Sequence, residues 1–237
     1  PMDADAILTR EREKIWETIE EMHVDMDVFN VLSYTNWFHN LKAAVKEVCT
    51  GKSGGKIFFE GTPIPKEEML RIIREKDYKA LPENMQAAAE EAVETLLHSG
   101  DGQLCDIIID RAAMEAIKEA GRKSQDDIIR DYAESTVAVA NIKIAVRAAK
   151  TAKSLEFMKR AMAPCDSLNV DGLARAALAG MGSIIEYLSE NGYPEGAQAL
   201  KESSSAFERW CDNRIIQTIK PQKTNPFSIG PLVAYVI

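Results

Sequence analysis

The chain has 237 residues, 46% of them hydrophobic, and its 37 acidic against 29 basic side chains leave a net charge of −8. That is ample material for a buried core, and the acidic balance argues against a nucleic-acid partner. No apolar run approaches the ~18 residues a membrane span needs, and Cys49, Cys105, Cys165 and Cys211 form no Cys-x-x-Cys pair, so neither a metal site nor a disulfide framework is expected.

Strong helix formers predict a first helix over Thr9 to Met22 and a second over about Val28 to Val48. Pro65 ahead of KEEMLRII puts proline at the start of a helix and acids in its first turn, where the dipole favours them. Pro82-Glu83 repeats that signal before an alanine-rich run that reaches Leu97 and is stopped by Gly100. Ser124 with Asp127 three residues on reads as a capping box opening a helix to about Lys153. Pro194-Glu195 opens another, predicted to run on to Ile219, and Gly230-Pro231 opens a last one. Only Lys56 to Glu60 reads as extended. The fold class is all-α.

The strongest signal is internal. NLKAAVKEVCTGKS (Asn40 to Ser53) returns as NIKIAVRAAKTAKS (Asn141 to Ser154), 101 residues later, with seven of fourteen positions identical. IDRAAMEAIK (Ile109 to Lys118) is echoed by CDNRIIQTIK (Cys211 to Lys220) at an offset of 102. Two ungapped echoes at nearly one offset define a duplicated helical unit. The boundaries expected are the end of an N-terminal unit (1–26), unit A (27–125), unit B (126–226) and the start of a third unit (227–237). Pro1 is not a natural start, so the chain is expected to be a piece of a longer protein, with an asparagine near position 243 beginning a third copy of the motif. Leu232, Val233 and Val236 would then lack part of their packing surface.

Asn141 falls in the apolar stripe of its helix (Val137, Ala140, Ile144, Ala145, Ala148), where a polar residue must be hydrogen-bonded if buried. Asn40 and Asn141 read as core residues fixing register, with a ligand contact as the alternative. Lys42/Lys46 and Lys143/Arg147 are spaced by four, so each repeat shows two cations on one face. These either pair with the echoed Asp110 and Asp212 or face a partner. Charge is uneven along the chain: residues 1–30 carry nine acids and three bases, residues 141–160 six bases and one acid. The second run is a solvated helix face or a patch for an acidic partner.

GKSGGK (Gly51 to Lys56) has the letters of a phosphate loop but follows a helix and is matched by alanine-containing TAKS in the other repeat. It reads as a turn. His23, His39 and His98 sit apart, Asp126-Asp127 reads as a helix cap, and Trp16, Trp37 and Trp210 read as core. No catalytic residue, metal, cofactor or small-molecule substrate is expected.

FHNLKAAVK (Phe38 to Lys46), GTPIPKEEM (Gly61 to Met69), Asp110-Arg111, ANIKIAVRA (Ala140 to Ala148) and NPFSIGPLVAY (Asn225 to Tyr235) together resemble the C-type stalk component of V/A-type rotary ATPases and ATP synthases, a family similar to the d-type component of eukaryotic V-ATPases. The resemblance implies a pseudo-threefold funnel of helical bundles, of which about two repeats are present here. It implies a non-catalytic central-stalk linker that joins the rotor shaft to the membrane proteolipid ring, from the cytoplasmic side, during proton or sodium transport. The family's acidic and arginine-rich run after the last tyrosine is missing from this sequence. A generic helical scaffold is the alternative, although a 101-residue period is long for a solenoid.

Overall fold

Helix-favouring residues between glycine, proline and serine stops produce helices throughout. A computed structural model describes residues 4–21, 26–52, 57–225 and 228–236. Helix α1 spans Ala4–Glu21, and a 3-10 turn at Met26–Phe29 leads into α2 (Asn30–Thr50). Then come α3 (Lys66–Glu75), α4 (Glu83–Ser99) and α5 (Gly102–Lys123). The second half holds α6 (Asp127–Lys150), α7 (Leu155–Ala161), α8 (Val170–Ala179), α9 (Met181–Glu190), α10 (Pro194–Glu202) and α11 (Ser204–Ile219). A further 3-10 turn, Lys220–Thr224, precedes α12 (Gly230–Val236). There is no strand among the described residues; the all-α class holds.

The order repeats. α2 packs on α3, α4 and α5; α6 packs on α8, α9 and α11, with α10 against α11. Helix α7 has no counterpart among the described residues of the first half. The two central helices end alike. Gly51 closes α2 in the left-handed region at φ 68°, its N–H donating to the Glu47 carbonyl. At the matching position after α6, Ala152 has φ 49°, and the Lys153 N–H donates to the Ala148 carbonyl across it. That is a Schellman closure with alanine where glycine is favoured.

Three apolar clusters follow this division. The first joins α2–α5 around Phe38, Leu41, Met69, Ile72, Met85 and Ile109. The second joins α6–α11 around Ile142, Met158, Leu173, Ile184, Leu188 and Phe207. The third lies where the units meet and takes in Ile19, Phe29, Ile117, Ile128, Ile129, Val137, Ile219 and Val233. Val233 is fully buried there, with Leu232 and Val236 packed beside it, so the closing helix has found a surface.

Several boundaries differ from expectation. Ser124 is no cap for α6: its Oγ accepts from the Asp126 N–H, and neither it nor Asp126 caps by side chain. Asp127 instead pairs with Arg130 one turn on. α6 stops at Lys150, three residues early, because the left-handed Ala152 turns the chain. The helix expected from Pro194 to Ile219 breaks at Ser203, whose backbone is extended (φ −170°) and whose hydroxyl accepts from the Ala206 N–H. A run of four polar residues, Glu202 to Ser205, favours such local side-chain bonding over helix interior. Segment 57–60 is irregular rather than a strand, and α2 is entered through a 3-10 turn. His23, the Met22 end of α1 and residues 53–56 of the glycine-rich turn lie outside the described residues.

Candidate functional site

The residues singled out by the repeat lie along the polar seams that hold the helices together. Asn40, on α2, is 1% exposed, and Asn141, on α6, is 0% exposed. Asn40 accepts from the Phe59 N–H (2.8 Å) and donates to the Phe59 carbonyl (2.9 Å), with a further bond to Thr62 Oγ1. Asn141 accepts from the Ala163 N–H (3.0 Å) and donates to the Ala163 carbonyl (2.7 Å). Each amide thus grips both main-chain groups of one loop residue, Phe59 between α2 and α3 and Ala163 between α7 and α8. A buried peptide group needs partners, and here one side chain supplies both. The loops differ: Phe59 is 46% exposed, whereas Ala163 is fully buried.

The cations face acids on the next long helix. Lys42 bonds Asp110 at 2.6 Å, and Lys46 approaches Asp106 at 2.6 Å. In the second half Lys143 reaches Glu208 at 3.0 Å and Asp212 at 3.7 Å. Burial works against the Lys143 charge, but its hydrogen bond to Glu208 prevails and its pKa is raised. Arg147, the fourth of these cations, is exposed and makes no ion pair among the described residues. The rest of the basic run is largely engaged: Lys150 with Ser204, Lys153 with Gln103, Lys159 with Asp171 and Arg160 with Glu91.

Two features are not legible as sites in the sequence. The first is α7, which lies across α4 and α5: Arg160 meets Glu91, and Arg111 donates to the Lys159 carbonyl at 3.0 Å. In the second half, α10 and α11 leave an open groove of about 560 Å³ lined by Glu195, Glu202, Arg209, Trp210, Asn213 and Gln217. Asn213 follows Arg111 by 102 residues, the offset of the second sequence echo. The second feature is Glu134 on α6, whose carboxylate meets Lys118 of α5 at 2.5 Å and accepts from the N–H groups of Asp166 and Ser167. A lone acid inside the run YAESTVAVAN, two turns before Asn141, is the sequence signal that could have found it.

Burial pushes the Cys105 thiol up to about 11 and the Cys211 thiol up to about 12, so both are neutral packing groups. All four cysteines are free. Among the described residues no group of three metal-ligating side chains converges, and no helix is long and apolar enough to cross a membrane. Gly51 closes a helix rather than following a strand, contrary to what a phosphate loop requires.

The fold and its seams define an all-α protein whose polar residues fix helices and loops relative to one another. The chain belongs to the ATP synthase (C/AC39) subunit family, whose model matches residues 1–237. It is 21% identical, over 99% of its length and 73% of the relative's, to the C component of the V-type sodium ATPase of Enterococcus hirae. No solved structure matches the chain.

Proposed function

We propose that this chain is the central-stalk linker of a V/A-type ATPase or ATP synthase, joining the rotor shaft to the membrane proteolipid ring and carrying no reaction centre of its own. The observation that carries this reading is the family match along the whole chain. The physical character of the molecule supports it. A part that passes torque must resist shear between its helices, and here buried amides, interhelical ion pairs and three apolar clusters bind each helix to its neighbours. The relative's name mentions sodium; for this chain the carried ion is a proton or sodium.

Lys42, Lys46 and Lys143 are held by internal acids, which makes Arg147 the repeated cation to test for contact with a neighbouring subunit. The decisive experiment is reconstitution of the complex with and without the full-length protein. Shaft subunits and proteolipid ring should copurify with it, and ATP-driven ion transport should disappear in its absence while ATP hydrolysis persists. Failure to bind either partner overturns the reading.

A further inference from the structure

We propose that Glu134 is the positioning residue that locks the angle between the two helical units, by holding Lys118 of the first unit and the 163–168 loop of the second in one hydrogen-bonded knot. Its two oxygens divide the work. Oε2 faces Lys118 on α5 at 2.5 Å, and Lys118 also pairs with Asp166 of the loop. Oε1 accepts from the Asp166 N–H at 2.9 Å, the Ser167 N–H at 2.7 Å and the Ser167 hydroxyl at 2.6 Å. The Tyr193 hydroxyl bonds Ser167 Oγ at 2.8 Å, and the Arg214 guanidinium lies 5.3 Å from the Tyr193 ring centre, which carries the knot across to α11. One carboxylate therefore ties α5, α6, a loop and, through two relays, the far side of the second unit.

The shielding of this link sets it apart from the other polar contacts between units. Lys118 and Glu134 side chains are 23% and 24% exposed, whereas Arg160 and Glu91 are 43% and 54% exposed. Exposed pairs contribute little, while a shielded carboxylate with four donors leaves several groups unpaired if it is removed. A pivot lies next to the knot. Gly121 of α5 packs so closely on α6 that an added Cβ would come within 2.4 Å of the Ala133 Cβ. Two helices touching through such small residues are fixed in distance at that point, and around it they meet through apolar side chains such as Ile117, Ile128 and Ile129, whose packing is non-directional. The Lys118–Glu134 link, within one turn of the crossing, adds a directional constraint.

The test uses the intact chain with spin labels introduced through non-natural amino acids at the exposed positions Glu90 and Glu190, which lie in different units. Wild type should give one narrow distance peak. Lys118→Met, which removes only the partner from the first unit, should lose it, and Glu134→Ala should lose it further. Asn141→Ala removes three bonds, two to Ala163 and one to Cys165, inside the second unit and should destabilise the protein while keeping the narrow peak. An unchanged peak in both Lys118→Met and Glu134→Ala overturns the proposal. If Glu134→Ala does not fold, Lys118→Met alone decides. The mechanical consequence rests on the linker reading: in the reconstituted complex Lys118→Met should lower ion transport per ATP hydrolysed. A broadened peak with unchanged transport upholds the lock and counts against the linker reading.

Discussion

The two units solve one problem with the same residue in surroundings of different wetness. In the first, Asn40 grips a loop whose Phe59 is half in water; in the second, Asn141 grips a peptide group at fully buried Ala163. The same contrast recurs on the outer face, where α7 fills the α4–α5 side of the first unit and an open groove marks the α10–α11 side of the second. A duplicated sequence therefore does not make duplicated energetics. What a repeated side chain contributes depends on whether water can replace its partner.

The sharpest way to break this contrast is to remove both clamps. Asn141→Ala strands a buried N–H and carbonyl and should cost about 3 kcal/mol, whereas water can reach the Phe59 loop, so Asn40→Ala should cost about half of that. Urea unfolding of the two variants measures the difference, and equal losses would show that burial of the loop is irrelevant.

Acid sharpens the view of the junction. Burial raises the pKa of Glu134, but the hydrogen bonds from Lys118 and Ser167 outweigh it and the net shift is downward. A depressed carboxylate contributes stability that is fully present above its ordinary value of about 4.3 and is lost as pH falls through its lowered folded value. Glu134→Gln should therefore unfold with a weaker pH dependence than wild type below about pH 4.3 in a thermal-melt series, because the titrating group is gone.

The helix ends give a smaller effect of opposite sign in the two units. Ala152→Gly relieves a left-handed alanine and should stabilise by roughly 0.5–1 kcal/mol, while Gly51→Ala should destabilise by about 1 kcal/mol; the same urea series reads both. Smaller still, Lys42→Ala should change stability by only about 0.5 kcal/mol, since Asp110 is 57% exposed. Lys52→Ala should change nothing, in stability or in ATP retention on a filter. Saturable ATP binding that this variant abolishes would restore the phosphate-loop reading.

Much of the fold is legible in the sequence because periodicity, proline starts and glycine stops are local signals. The offset of 101 places Asn40 and Asn141 on central helices and puts Lys42 and Lys143 beside Asp110 and Asp212, as their geometry shows. The break at Ser203 escapes such reading because a serine cap and a polar helix interior have similar composition, and only the extended backbone distinguishes them. Glu134 and Lys118 escape it for a different reason. They are 16 residues apart in sequence and on different helices, and although a lone acid in an apolar run marks Glu134, no short-range pattern pairs it with Lys118.

The seating of α7 has a consequence for how the protein can be cut. In sequence the first unit ends near position 125, yet the helix lying across α4 and α5 is Leu155–Ala161, contributed by the second. The apolar cores of the two halves are separate, yet the chain segments that cover them are interleaved. A nascent first unit leaving the ribosome has its outer side finished only after about forty more residues have followed. Dissection at the sequence boundary strips that side bare, whereas a longer piece reaching past Ala163 would carry its own cover, at the expense of the core it leaves behind.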